Sequence, residues 1–210
     1  ISRDDDGRYV LHYDDGQDSF DKLIVSTPSY ISSQLLKSID SELANLLSQI
    51  PYSSLAVVCQ GYKLEKVGRP LDGFGFLIPH SQNMNVLGSI WTSVIFPEQA
   101  PEGHALFRTM LGGAKNEEIV NESEKRLSEI AMQELGPILN LKGDPDYEKI
   151  IIWKQAIPQY VMGHRQRLQN IDNRLNELGS LYLAGNAFTG IGLNDTIKRS
   201  HKIAEALQID

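Results

Sequence analysis

The chain has 210 residues, of which 41% are hydrophobic and 22% charged, enough to build a core in one large or two small domains. A formal net charge of -7 with no Lys/Arg-rich stripe argues against nucleic acid as a partner. The single cysteine, Cys59, excludes an intrachain disulfide and a cysteine-based zinc site, and no run approaches the roughly 20 apolar residues that span a bilayer, so a soluble, cytoplasmic protein is expected.

The opening Ile1-Ser-Arg-Asp-Asp-Asp-Gly-Arg8 reads like a turn inside a sheet rather than a natural start, and the chain is expected to be a fragment. Tyr9 to Tyr13, the turn Asp14-Asp15-Gly16 and Phe20 to Thr27 predict a β-hairpin stopped by Pro28. Ile31, Leu35 and Leu36, then Leu43, Leu46 and Leu47, predict two short helices closed by Pro51. Strand patterns follow at Leu55 to Tyr62, Gly73 to Pro79, Val86 to Ser93 and His104 to Gly113, an antiparallel sheet in which Cys59 reads as a small buried hydrophobe.

Asn116 to Leu135 predicts one amphipathic helix, with Ile119, Val120, Leu127, Ile130, Ala131 and Leu135 on one face and a solvated acidic face opposite. Tyr147 to Lys154 is again strand-like, and Leu168, Ile171, Leu175 and Leu178 predict a helix ended by Gly179. The pieces before about residue 50 and after about residue 150 are expected to form one α/β layer, with the strand-rich lobe between them in sequence.

The most informative segment is the last, where the hydrophobic run from Leu181 breaks into a glycine-rich turn and then opens a helical pattern. Leu193, Ile197, Ala204 and Leu207 recur at helical spacing with charges between them, predicting a helix half buried against a sheet and capped by Asn194 or Asp195. A helix N-terminus after glycines suits an anionic or polarised cofactor. Gly190-Ile191-Gly192 is not a dinucleotide fingerprint, because Asp195 takes the place of the third glycine and no second strand follows. The tail therefore reads as a closing strand and helix that dock onto a cofactor held elsewhere.

Side-chain chemistry is thin. The five histidines show no metal-ligand spacing, no Gly-x-Ser-x-Gly elbow is present, and Gly112-Gly-Ala-Lys115 is not a phosphate loop. His164 reads as structural. If a cofactor carries the reaction, the protein supplies orientation and an apolar enclosure. Phe74, Phe76, Trp91, Phe96, Phe107 and Trp153 are available as its walls or as core.

Three stretches together resemble the protoporphyrinogen oxidase family, flavoenzymes of haem biosynthesis in the amine-oxidase-like superfamily. They are Gly73-Phe-Gly-Phe-Leu-Ile-Pro79 with Leu87-Gly-Ser-Ile-Trp91, Phe96-Pro-Glu-Gln99 and Met110-Leu-Gly-Gly113; Ala156-Ile-Pro-Gln-Tyr160 with Gly163-His164; and Leu183-Ala-Gly-Asn186 through Gly190-Ile-Gly-Leu-Asn-Asp195. The order and spacing also match, and the likeness covers nearly the whole chain but only the C-terminal half of the family.

The resemblance implies a mixed α/β fold (α+β), with residues 1–50 and 151–210 in a discontinuous FAD-binding domain and 51–150 a strand-rich substrate lobe with a covering helix. In the family, flavin takes hydride equivalents from the porphyrinogen macrocycle and passes electrons to oxygen, three rounds yielding porphyrin and peroxide, so no catalytic side chain is implied. By position, Gly185, Asn186, Gly190, Ile191, Gly192, Leu193 and Trp153 resemble flavin contacts, and Phe74, Leu77 and Met110 the apolar tetrapyrrole pocket. No metal is implied. Peripheral membrane association and a homodimer of the full-length protein stay open.

Two departures stand out. Asn194-Asp195-Thr196 replaces the Pro-Asp-Cys of many bacterial members, which leaves the resemblance intact; the Gly-x-Gly-x-x-Gly unit that binds the ADP part is missing, so this piece alone is expected to hold FAD weakly or not at all and to be inactive. The alternatives are a coproporphyrinogen III oxidase of the same fold, a different flavin oxidase, and a non-catalytic tetrapyrrole-binding scaffold.

Overall fold

Pairing of Tyr13 with Gly16 closes a two-residue turn between β2 (Tyr9–Tyr13) and β3 (Gly16–Phe20), and β1 (Ser2–Arg3) adds to the outer side of β2 in antiparallel order. The hairpin thus differs from the expected one. Its second strand, Gly-Gln-Asp-Ser-Phe, is polar and mostly exposed, so it lacks the apolar signal by which strands are read. The apolar run that follows becomes β4 (Leu23–Val25), which leaves the hairpin and pairs in parallel with β10 (Leu181–Leu183). Leu23, Val25, Leu181 and Leu183 are all buried, as parallel strands inside an α/β layer require.

The computed structural model describes residues 1–207, which fall into two units: Ile1–Pro51 with the chain from Pro158 onward, and Tyr52–Ile157. The first unit holds β1 to β4, α1 (Ser29–Leu36) and α2 (Ser41–Ser48). The Asp40 carboxylate caps α2 by accepting from the Leu43 N–H at 2.6 Å, and it is paired with Arg174 of α5 (His164–Leu178). Burial pushes the Asp40 carboxyl up, but the Arg174 hydrogen bond and the Leu43 amide outweigh it and hold the group below its ordinary value. Gly179, at φ 58°, ends α5 and turns the chain into β10, and α6 (Leu193–Leu207) follows.

In the second unit, β5 (Tyr52–Lys63), β6 (Gly75–Leu77), β7 (Val86–Trp91), β8 (His104–Gly112) and β9 (Tyr147–Pro158) form one sheet in the order β6-β7-β8-β5-β9, with the one-turn helix α3 (Thr92–Ile95) linking β7 to β8. The strand-rich segment is the antiparallel sheet its spacing predicts, with β6/β7, β7/β8 and β8/β5 all antiparallel. Asp146 N–H bonds Gly61 O at one end of β9, and Gln159 N–H bonds Pro51 O at the other, so β9 also runs antiparallel to β5. The unit boundary falls after Ile157 because β9 is a strand of this sheet.

One sheet face is covered by α4 (Glu124–Leu139), whose Leu127, Ile130 and Ala131 pack with Ala56, Val58, Val86 and Leu111, and whose Leu135 and Leu139 pack with Tyr62, Trp91 and Phe107. The long helix expected from Asn116 is broken: Glu117–Asn121 is a 3-10 turn, Glu122 is extended, and Ser123 starts α4 by accepting from the Arg126 N–H at 3.2 Å. Ile119 and Val120 stay in the core, so the apolar face survived while the helix did not. Glu117, Glu118, Glu122, Glu124 and Lys125 are exposed, as a solvated acidic face requires, while Glu134, farther along α4, accepts from the Asn85 and Val86 amides and orders the start of β7. Among the described residues no helix is long and apolar enough to cross a membrane.

Candidate functional site

The first unit gathers Gly185, Asn186, Gly190, Ile191, Gly192 and Leu193 into one turn between the parallel strand β10 and the start of α6. Gly185 and Gly190 have φ of 118° and 122°, a region that side chains other than hydrogen rarely enter. At Gly190 the reason is also steric, because an added Cβ would lie 2.4 Å from the Asp195 Cβ. Asp195 therefore fills the space where a third fingerprint glycine is absent, folding the turn back on the first turn of α6.

The helix starts at Leu193, and the Gly192 carbonyl accepts from the Asp195 and Thr196 amides, so neither Asn194 nor Asp195 is the N-cap as expected. Asp195 instead lies in the first helical turn, where its negative charge complements the helix dipole. That carboxylate repels a phosphate at the same place. The turn is suited to a neutral, polar-edged ring, with the backbone approachable at Gly185 and Gly192, where an added Cβ would meet nothing closer than 3.9 and 3.3 Å.

Tyr160 closes the turn, a role the sequence reading did not assign. Its hydroxyl donates to the Asn186 carbonyl at 2.7 Å and accepts from the Gly190 N–H at 2.8 Å, spanning the loop at both ends. The ring stacks on His164, with centroids 4.2 Å apart and planes 12° from parallel. His164 is buried, and burial lowers its pKa, opposed by the Phe188 carbonyl and aided by the Arg167 charge. On the other side, Arg199 of α6 donates from Nε to the Leu183 carbonyl at 2.8 Å and lies 4.8 Å over the Phe188 ring. The signal for Tyr160 was its position in the Ile-Pro-Gln-Tyr segment; for Arg199 there was none.

The apolar stripe of α6 is not half buried as expected. Leu193 and Ile197 are 76% and 56% exposed, and Ile191 before them is 45% exposed, while Leu207 at the far end is buried. The helix packs through its C-terminal part and leaves apolar side chains uncovered around the glycine turn.

The second unit holds the other named residues: Leu77, Met110 and Trp153 on the sheet face opposite α4, and Phe74 at the edge, just before β6. Thr109, Phe107 and Leu111 point to α4, so Leu106, Arg108 and Met110 point away. Cross-strand pairs Leu77–Gly88, Gly88–Met110 and Met110–Val57 place Leu77 and Met110 in one row, with Gly88 contributing no side chain between them. Phe74 and Leu77, 73% and 80% exposed, line a cavity of about 400 Å³ with Gly75, Phe76 and Ile90. Farther along this face a cavity of about 420 Å³ opens where Gly61, Leu106 and Tyr147 meet.

Trp153, expected at the cofactor, lies on β9 in this unit and is 55% exposed. Glu148 bonds Ser128 of α4, and Ile150 and Ile152 join the α4 core, so strand alternation turns Trp153 to the open face. Of the remaining aromatics, Trp91 and Phe107 are core, whereas Phe96 is 48% exposed. Among the described residues no three His, Cys, Asp or Glu side chains gather as a metal site.

The first unit thus carries a glycine turn at the mouth of a parallel strand pair, and the second an antiparallel sheet with one open face. The family model for flavin-containing amine oxidoreductases matches residues 1–207, and the chain belongs to that family. Within it the chain is similar to protoporphyrinogen oxidases: it is 34% identical to the chloroplastic protoporphyrinogen oxidase of Oryza sativa subsp. japonica, over 99% of this chain and 41% of the relative. It is also 30% identical to the coproporphyrinogen III oxidase of Bacillus subtilis (strain 168), over 90% of this chain and 40% of the relative. A solved structure from Exiguobacterium sp. 255-15, provisionally named a protoporphyrinogen oxidase, superposes with a TM-score of 0.83 at 27% identity, covering 100% of this chain and 45% of that one. The chain thus spans about 40% of the length of its curated relatives.

Proposed function

We propose that this chain is part of an FAD-dependent oxidase that converts protoporphyrinogen IX to protoporphyrin IX in haem biosynthesis, with oxygen as the electron acceptor. The observation that carries the reading is the turn from Gly185 to Leu193, an open backbone edge bordered by exposed Ile191 and Leu193 and held by Tyr160. Such a surface fits the polar edge and flat apolar faces of a flavin ring. When bound, FAD supplies the two-electron acceptor. Gly185, Asn186, Gly190, Ile191, Gly192 and Leu193 would hold and orient it, and Asp195 keeps phosphate away from this end.

The open sheet face would take the substrate. Leu77 and Met110 on that face, with Phe74 at its edge, offer apolar surface to a flat macrocycle. Trp153 lies on the same face and would border it. No side chain here is asked to act as a nucleophile; the residues bind, orient and exclude water.

The test uses the protein as encoded in full. It is expected to bind FAD, to be yellow, and to consume oxygen with protoporphyrinogen IX; a protein that stays colourless after incubation with FAD refutes the reading. The 210-residue chain alone is expected to turn over no substrate. The similarity to the Bacillus subtilis enzyme favours coproporphyrinogen III as a second substrate reading, and the ratio of kcat/KM for the two porphyrinogens decides between them.

A further inference from the structure

The open sheet face carries Arg108 and Lys149, cations that the proposed function leaves unused. Arg108 is exposed on β8, paired across to Ile90 on one side and Cys59 on the other, and it stands two residues from Met110 on the same face, about 7 Å along the strand. It also lies between the row through Met110 and the cavity at Leu106. Lys149, exposed on β9, points to this face because its neighbours Glu148 and Ile150 point to α4.

Both cations act on the Cys59 thiol between them. Burial pushes that thiol up, while the Arg108 charge and hydrogen bond and then the Lys149 charge oppose it. The two side chains thus start from strands on either side of β5, roughly 10 Å apart. Among the described residues neither forms an ion pair with a carboxylate, in a chain whose net charge is -7.

An apolar row flanked by two unpaired cations is complementary to a ligand with an apolar ring and acid arms on one edge. We propose that Arg108, assisted by Lys149, is the specificity-determining residue that receives the carboxylates of a porphyrinogen lying along the Leu77–Met110 row. This rests on the tetrapyrrole reading above. The cations fix which edge of the ring faces β5, since a planar guanidinium pairs with a carboxylate through two hydrogen bonds.

The experiment titrates the protein as encoded in full with protoporphyrin IX and with its dimethyl ester, followed by porphyrin fluorescence, for the parent, Arg108→Met, Arg108→Lys and Lys149→Met. Arg108→Met is expected to weaken binding of the diacid about tenfold, the loss of one charge-assisted contact. Arg108→Lys should recover most of that loss, Lys149→Met should show a smaller one, and binding of the diester should be the same in parent and variants. In turnover, Arg108→Met should raise KM for porphyrinogen with kcat within about twofold. Equal diacid binding by parent and Arg108→Met, or an equal loss for the diester, overturns the proposal and leaves the tetrapyrrole reading intact. A parent that binds neither porphyrin overturns the tetrapyrrole reading itself, and the Arg108 assignment with it.

Discussion

Replacing Tyr160 with Phe removes one hydroxyl and keeps the ring that stacks on His164 at 4.2 Å. The hydroxyl makes two bonds across the turn, to the Asn186 carbonyl at 2.7 Å and from the Gly190 amide at 2.8 Å. A net hydrogen bond contributes about 0.5–1.5 kcal/mol, and both backbone partners are half-buried, so water recovers part of the loss. The expected cost to closure of the turn is about 1–2 kcal/mol, which corresponds to a 5–30-fold rise in the open population. Amide hydrogen exchange reads this directly: the Gly190 amide should exchange about 5–30-fold faster in the variant, with amides of β4, β10 and the middle of α5 unchanged. In the FAD-loaded full protein the same variant should bind flavin more weakly by a similar factor. Parental exchange at Gly190 would refute the clasp. So would equal acceleration at β4 and α5, because that pattern reports a loss of global stability rather than a freed turn.

Three further outcomes follow from the same geometry. Gly190→Ala meets both a φ of 122° and the Asp195 Cβ at 2.4 Å, so it should destabilise the turn by about 1–3 kcal/mol; adding Asp195→Gly should recover part of the loss in thermal unfolding, and full recovery would mean that the positive φ carries no strain. Leu77→Ala removes a side chain that is 80% exposed, so thermal stability should change by less than about 0.5 kcal/mol while porphyrin binding weakens several-fold in fluorescence titration. His164 is held neutral, its pKa below the ordinary value of 6.5, so the unfolded chain takes up a proton before the folded one does. Its contribution is complete above that ordinary value and is lost as pH falls through the lowered one; urea unfolding of the parent should show this drop, and His164→Phe should lack it.

The sequence by itself carried the alternation of the central strands, the apolar face of α4, the stop signals at Pro28, Pro51 and Gly179, and the glycine turn before α6. These are local: each depends on side-chain periodicity or on a backbone angle that one residue type tolerates. The resemblance also named the turn residues, since their order along the chain is itself the motif. The pairing partners were decided elsewhere. β4 left its hairpin because Leu23 and Val25 bury better beside Leu181 and Leu183, a pairing across more than 150 residues that no local pattern records. The polar β3 took the vacant place, held by backbone hydrogen bonds that are indifferent to side-chain polarity. Tyr160 became a clasp through loop closure and Leu77 joined the row of Met110 through strand register, both set by the packing of a whole unit. Sequence specified the glycine turn; tertiary structure decided what holds it shut, and which charges share a face with the apolar row.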